Sequence, residues 1–186
     1  MTHRIDHLRQ LLDRHHPASD TEAEHLDRMR ALLVAGNDAL GREHYEPGHF
    51  TASAFVLSPD LSELLLIFHG KLLRWLQPGG HIDPEDVDVV SAALREVREE
   101  TGLQEVSVVG DGLLDVDVHE IPARGQAPSH EHFDVRILLR AGTRSVQAGS
   151  DAQGARWVAL GDVANIESDE SVTRAVARIQ RMLPAL

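Results

Sequence analysis

The chain has 186 residues, a formal net charge of −12 and no cysteine. This length suits one substantial hydrophobic core, so we expect a single domain. The absence of cysteine excludes disulfides, thiolate metal sites and a cysteine nucleophile. The acidic balance argues against general nucleic-acid binding, because a phosphate backbone requires a basic surface. A small phosphate-bearing molecule would need a cation to screen the acidic residues.

The apolar segments of the sequence are short. The longest purely aliphatic or aromatic run, Leu64 to Phe68, cannot cross a membrane. The N-terminal sequence MTHRIDHLRQ is charged and lacks the apolar segment of a signal peptide. We therefore expect a cytoplasmic protein with no membrane association.

Residues 1–40 predict a helical hairpin added to a main domain of residues 41–186. The first helix ends at Pro17, and the second begins where Ser19 to Glu22 have capping-box spacing. The apolar stripes of the two helices comprise Ile5, Leu8, Leu11 and Leu12, then Leu26, Met29, Leu32 and Leu33. Packing on the domain, a homodimer contact and a lid over a substrate are all open roles for this extension. Its five histidines, His3, His7, His15, His16 and His25, are interpreted as surface residues.

Two strands are predicted after the hairpin. The run FTASAFVLS begins at Phe50, and the run ELLLIFH follows a turn at Pro59-Asp60. Both runs are mostly apolar, so this pair of strands should be buried.

A helix bounded by glycines is predicted in the segment from Pro78 to Leu103. Gly79 and Gly80 predict a sharp backbone turn, and Gly102 suits the left-handed residue that ends a helix. Between these glycines, apolar residues recur at helical spacing, so one stripe of the helix should face a core. The stripe comprises Val90, Ala93, Leu94 and Val97.

Three carboxylates share one face of this predicted helix. Taking Glu96 as the origin, Glu100 lies at about +40° and Glu99 at about −60° around the helix axis. Two carboxylates about 4 Å apart repel by about 4 kcal/mol at an effective dielectric near 20. A hard divalent cation, Mg²⁺ or Mn²⁺, would relieve this repulsion and prefers oxygen ligands. The alternative is a solvated acidic face neutralised by Arg95 and Arg98.

The remainder of the chain predicts further strands and a final helix. The runs VSVVG, GLLDVDVHEI, HEHFDVRILL and ARWVAL have strand character, and a helix should extend from about Asp169 to Met182.

One of these strands has a polar face. Alternation in HEHFDVRILL places His130, His132, Asp134 and Arg136 on the same side. A strand with one polar face borders either solvent or a functional cavity, because strands covered on both faces are largely apolar. A histidine-only zinc site is the rival explanation, but the sequence positions no third ligand for it.

The segment around the predicted helix resembles the Nudix box, the signature of the MutT-like hydrolases. The second half of the signature is intact from Arg95 to Leu103, and Gly79-Gly80 precedes it. The spacing between Gly80 and Arg95 is one residue longer than in the family, so Glu85 or Asp86 would fill the first acidic position. The resemblance implies an α/β/α sandwich around a mixed sheet, with the box helix against one face.

The resemblance also implies a reaction. A Nudix-type pyrophosphohydrolase would cleave a diphosphate linkage in a nucleoside diphosphate joined to another moiety, using Mg²⁺ or Mn²⁺. The residues implied as metal ligands are Gly79, Glu96, Glu99, Glu100 and Asp151, and the three glutamates are also the catalytic candidates. Arg95 would orient the box carboxylates by ion pairing.

Substrate contacts are expected beside the box. The candidates are Arg74, for which a surface charge is the alternative, His81 next to the glycines, and His130, His132 and Arg136 of the polar strand. A non-catalytic Nudix-like nucleotide-binding or sensor module is the alternative function. An isopentenyl-diphosphate isomerase is set aside, because that chemistry uses a cysteine.

Overall fold

The computed structural model describes residues 2–34, 38–70, 72–147, 149 and 152–185, with the backbone alone for residues 2, 152 and 153. Its helices are α1 (Thr2–Arg14), α2 (Asp20–Val34), α3 (Val89–Thr101) and α4 (Glu170–Met182). Its strands are β1 (Gly48–Leu57), β2 (Glu63–His69), β3 (Arg74–Leu76), β4 (Gly79–His81), β5 (Val106–Val108), β6 (Asp115–Ile121), β7 (His130–Ala141) and β8 (Ala152–Ala159). Within the described part of the chain, no helix is long and apolar enough to cross a bilayer.

The strands form one mixed sheet. Its main path runs in the order β3, β2, β1, β7, β5, while β4 pairs with β1, β6 with β7 and β8 with β2. The central strands β1 and β7 run parallel, from Gly48 opposite Glu131 to Leu57 opposite Arg140. All other pairings between described strands are antiparallel.

Helices cover both faces of this sheet. Along β1, Ala54 and Val56 belong to the core that also contains the buried residues of α1, α2 and α3. Phe55 and Leu57 point to the opposite core, where α4 packs. Successive side chains of a strand alternate between its faces, so one apolar strand supplies both cores. The predicted α/β/α sandwich around a mixed sheet is confirmed.

The box helix α3 is regular and capped at both ends. The Asp88 carboxylate accepts from Ser91 N at 2.8 Å, and the Ser91 hydroxyl accepts from Asp88 N at 2.9 Å. Gly102 ends the helix with φ of 71°, a conformation that a glycine adopts without strain. These caps fix where the carboxylates of α3 stand relative to the sheet.

The N-terminal hairpin packs on the main domain. Leu8, Leu12 and Met29 are fully buried and belong to the same core as α3. Arg4 donates to the carbonyl oxygens of Asp83, at 2.8 Å, and Pro84, at 3.2 Å, in the loop that leads to α3. The packing role considered for residues 1–40 is therefore realised in this structure, whereas the boundary at residue 40 stays a prediction.

Buried polar groups join the hairpin to α4. The carboxylate of Glu22 is fully buried and accepts from His15 Nε2 at 2.7 Å, Ala18 N at 2.5 Å and Arg178 Nη1 at 2.8 Å. Burial raises the pKa of Glu22, but the hydrogen bonds from His15 and Ala18 and the charge of Arg178 outweigh it and lower the pKa overall. The interpretation of His15 as a surface residue is wrong, because its ring is buried against this carboxylate.

We expect Glu22→Gln to lower the melting temperature at neutral pH by on the order of 5 °C, since a charge-assisted hydrogen-bond network contributes about 1.5–3 kcal/mol. The pKa of Glu22 is lowered in the folded state. The stability that the Glu22 carboxylate contributes is therefore fully present above the ordinary glutamate pKa of about 4.3, and it is lost as the pH falls through the pKa of the folded state. Melting curves from neutral to acidic pH should therefore show the two proteins converging below about pH 4. The exposed Glu24→Gln serves as the control, and a difference that is constant with pH would contradict the expectation.

Candidate active site

Of the three predicted carboxylates on α3, those of Glu96 and Glu100 lie against the strand β4, and that of Glu99 lies beside Arg95. The Glu100 carboxylate accepts from Gly79 N at 2.9 Å. The Glu96 side chain is 15% exposed and the Glu99 side chain 60% exposed, so the group extends from a partly buried position to solvent. The structure thus places two carboxylates beside the backbone of β4, with Glu99 joined to Glu96 through Arg95.

Arg95 connects these carboxylates to the loop before the helix. Its Nη1 donates to Glu96 at 2.9 Å and to Glu99 at 3.2 Å. Its Nε and Nη2 make a bidentate pair with Asp86, at 3.1 and 2.9 Å. The hydrogen bonds from Asp86, and those from Glu96, raise the pKa of Arg95. Of the two candidates for the first acidic position, Asp86 is buried and pairs with Arg95, whereas Glu85 is exposed.

The two glycines allow the close approach of β4 to its neighbours. A β-carbon at Gly80 would stand 2.6 Å from the Glu96 Oε1 atom, and one at Gly79 would stand 2.3 Å from the β-carbon of Ser53. Both glycines lie in a short strand paired with β1, whereas the sequence predicted a sharp turn. Their small size is needed for packing against Glu96 and β1.

Glu96 differs from the other carboxylates in its electrostatics. Burial raises the pKa of Glu96, and the repulsion from Glu99 and Asp83 adds to it, while the hydrogen bond from Arg95 acts in the opposite direction. A carboxylate with a raised pKa is the better proton acceptor among similar groups.

The donor set suits a hard divalent cation. Carboxylate oxygens are the ligands that Mg²⁺ and Mn²⁺ prefer, so Glu96, Glu99 and Glu100 fit either ion. The loop that leads towards Asp151 packs on the end of α3, where Gly149 N donates to Glu100 O at 2.8 Å. Asp151 itself lies outside the described residues.

A histidine cluster lies beside β4 and comprises His49, His81, His130 and His132. The ring of His49 is centred 5.1 Å from those of His81 and His130 and 4.9 Å from that of His132. Three of these residues were predicted from the sequence as substrate contacts, whereas His49 was not. The available signal was the position of His49 at the start of a buried strand, but its partner in β7 depends on a parallel register that the sequence does not specify.

Burial keeps His49, His81 and His132 neutral. Burial and the neighbouring histidines lower the pKa of His132 to about 2, and burial lowers that of His49 to about 4 although a hydrogen bond with the His44 carbonyl opposes it. The pKa of His81 is lowered by burial and by Arg42, against an opposing effect of Asp83. At neutral pH these rings present nitrogen lone pairs.

Arg136 was predicted to contact substrate, and the structure contradicts this. Its side chain is 2% exposed and lies between Asp134, at 3.0 Å from Nε, and Asp115, at 3.0 Å from Nη1. The remaining Nη2 group donates to the Ser171 hydroxyl at 2.8 Å. These partners use the guanidinium donors within the core, so the arginine is a structural ion-pair partner. Arg74, by contrast, is exposed at the start of β3, and its substrate role stays a prediction.

The family model of the NUDIX domain matches residues 47–179. The chain belongs to the Nudix family. This match confirms the predicted family and supports the predicted enzyme class, a Nudix-type pyrophosphohydrolase. A search of curated proteins found no match.

Solved Nudix structures share this fold at low sequence identity. A Nudix hydrolase from M. smegmatis, RenU, is 17% identical with a TM-score of 0.57, covering 81% of this chain and 97% of that one. An Ap4A hydrolase from C. elegans is 20% identical with a TM-score of 0.54, covering 74% and 98%. The NUDIX domain of NrtR from Shewanella oneidensis, solved with ADP ribose, is 17% identical with a TM-score of 0.53, covering 82% and 97%.

Proposed function

We propose that this Nudix protein is a Mg²⁺- or Mn²⁺-dependent hydrolase that cleaves a diphosphate linkage in a nucleoside diphosphate joined to another moiety. The observation that carries the proposal is the arrangement of Glu96 and Glu100 against the glycines of β4, with Glu99 on the same side of α3 and joined to Glu96 through Arg95. Carboxylates gathered in this way repel one another and attract a divalent cation, which in turn attracts phosphate.

The three glutamates would hold the cation, with the Gly79 carbonyl and Asp151 as further candidate ligands. When bound, the ion would neutralise negative charge on the phosphate and lower the pKa of a water molecule that it binds. A glutamate of the box helix or an acidic loop residue is the proposed general base. The water oxygen forms a bond to phosphorus, its proton passes to that carboxylate, and the bond between phosphorus and the bridging oxygen breaks. Arg95 positions Glu96 and Glu99 throughout.

The substrate is placed on the side of β4 that carries the histidine cluster. His81 directly follows the two glycines, and its ring is centred 5.3 Å from that of His132, which in turn is centred 5.3 Å from that of His130. Arg74 is a further candidate for a phosphate contact. The proposed partner is a small phosphate-containing molecule, and the proposed location is the cytoplasm. Nucleic acid is disfavoured as a partner because the chain has a net charge of −12. The homodimer stays a prediction.

A substrate panel tests this function. Nucleotide sugars, dinucleoside polyphosphates, ADP-ribose and nucleoside triphosphates should be incubated with the full chain and Mg²⁺ or Mn²⁺, and products followed by chromatography. We expect turnover of at least one diphosphate-linked class and its loss on chelation. Reaction in ¹⁸O-labelled water should place the label on one product phosphate and so identify the phosphorus attacked.

The same panel examines the non-catalytic alternative. ADP-ribose is included because the NrtR domain was solved with it. Tight binding of ADP-ribose or another nucleotide without turnover, in either ion, would favour a sensor module over an enzyme.

A further inference from the structure

Three of the clustered histidines come from three different strands. His49 lies in β1, His81 in β4 and His132 in β7. His49 is the direct register partner of His132 across the parallel pair, and His81 pairs opposite Thr51, two residues along β1. One nitrogen from each of the three rings lies within 4.8 Å of the others. Three nitrogens about 2.1 Å from one zinc ion are about 3.4 Å apart, so small side-chain rotations bring these atoms into place.

His49 has an unsatisfied buried nitrogen within this group. The residue is 1% exposed, and its Nδ1 is 3.1 Å from the His44 carbonyl oxygen, to which it donates. This hydrogen bond leaves the Nε2 lone pair free, and Nε2 is buried without a hydrogen-bond partner among the described residues. Buried polar atoms are normally paired, so this nitrogen requires an explanation. Metal-binding histidines commonly have this arrangement, with one ring nitrogen bound to a carbonyl and the other to the metal.

We propose that His49, His81 and His132 bind one Zn²⁺ ion. Neutral imidazoles are borderline ligands that suit zinc better than the hard Mg²⁺ or Mn²⁺ of the carboxylate site. Three protein ligands leave the fourth tetrahedral position open to water or an anion. His130 lies beside the site, stacked on the His49 ring, with its Nδ1 held by the Pro128 carbonyl oxygen at 2.8 Å.

This zinc ion would join β1, β7 and the short strand β4. Because β4 also carries Gly79 and Gly80, which contact Glu100 and Glu96, the ion would fix the backbone against which the box carboxylates are placed. With the ion bound, His81 and His132 would be zinc ligands and would not contact the substrate directly. The zinc site and the carboxylate site are chemically distinct, so each can be removed separately.

The test uses the full chain, freed of metal by a chelator, and a competition titration of Zn²⁺ against a chromophoric indicator. We expect one tight equivalent of Zn²⁺. The affinity for Zn²⁺ should fall by about 100-fold or more in His81→Gln and in His132→Gln. A loss of this size exceeds the loss expected when the removed residue only orients a metal ligand. The exposed His3→Ala and the box variant Glu99→Gln should retain wild-type affinity. Co²⁺ loading should give visible absorption typical of tetrahedral nitrogen ligation in the wild type and not in His81→Gln.

Circular dichroism of each variant establishes that it is folded. If the buried His49→Ala does not fold, the two glutamine variants decide the question. Wild-type Zn²⁺ affinity in folded His81→Gln and His132→Gln would overturn the proposal. A loss of Zn²⁺ in Glu99→Gln alone, or in His3→Ala, would overturn it too, because the ion would then belong to the carboxylates or to the surface.

Discussion

Glu100→Gln is expected to lower kcat/KM by about 100-fold or more, which corresponds to about 2.7 kcal/mol of lost transition-state stabilisation. The Glu100 carboxylate accepts from Gly79 N at 2.9 Å, and a glutamine carbonyl oxygen accepts the same hydrogen bond. The substitution therefore removes the negative charge while retaining the shape of the site. The affinity for Mg²⁺ or Mn²⁺ should fall in parallel, and the melting temperature should stay close to that of the wild type.

Steady-state kinetics and calorimetric titration of the cation measure these two effects. Glu24→Gln is the matched control, since it removes the same charge from an exposed position on α2. Unchanged cation affinity and unchanged kcat/KM in Glu100→Gln would remove the carboxylate site from the mechanism.

Arg136→Ala should cause the largest loss of stability, about 3–5 kcal/mol, because removing one partner of a buried ion pair leaves uncompensated charge. The Asp134 carboxylate would lose its ion pair in a core where the residue is 4% exposed, whereas Asp115 would keep its pair with Arg174 Nη2 at 2.9 Å. Asp134 would retain hydrogen bonds only from the hydroxyls of Thr51, at 3.2 Å, and Ser53, at 2.7 Å, among the side chains described. The expected fall in melting temperature is on the order of 10 °C.

Arg144→Ala provides the comparison for this prediction. Arg144 donates to Asp60 at 2.8 Å and to Glu63 at 2.9 Å, yet its side chain is 42% exposed. An exposed ion pair contributes about 0–1 kcal/mol, so its loss should scarcely change the melting temperature. Thermal unfolding and kinetics of the folded fraction should be recorded together. A raised KM with unaltered stability in Arg136→Ala would instead support the predicted contact between Arg136 and substrate.

Local sequence patterns were sufficient to predict the box helix. The stripe containing Ala93 and Val97 faces the core, and Gly102 ends the helix in the left-handed conformation, as expected. Helical geometry alone places Glu96 and Glu100 on the same side. These features depend on residues within a few positions of one another, which is why a single sequence reveals them.

Long-range pairing limited the remaining predictions. Alternation along β7 placed His132 and Arg136 on one face, but it did not reveal what lies opposite. The register between β1 and β7 puts His49 beside His132, and α4 supplies Ser171 to Arg136. The polar face of β7 thus contributes His132 to the histidine cluster and Arg136 to buried ion pairs. Only the neighbouring strands and helices distinguish these two roles.

The ion pairs of Arg95 would separate the folding of this protein from the binding of the proposed cation. Where carboxylates are gathered without compensation, an ion must be present for the chain to fold, and its binding energy becomes folding energy. Here one guanidinium pairs with Asp86, Glu96 and Glu99 and so relieves part of their mutual repulsion. In the proposed cation site, Arg95 would therefore hold Glu96 and Glu99 in position without an ion, so that Mg²⁺ and Mn²⁺ could exchange without an unfolding step. The choice between the two ions would then follow their affinities and concentrations at the time of reaction, not the ion present when the chain folded.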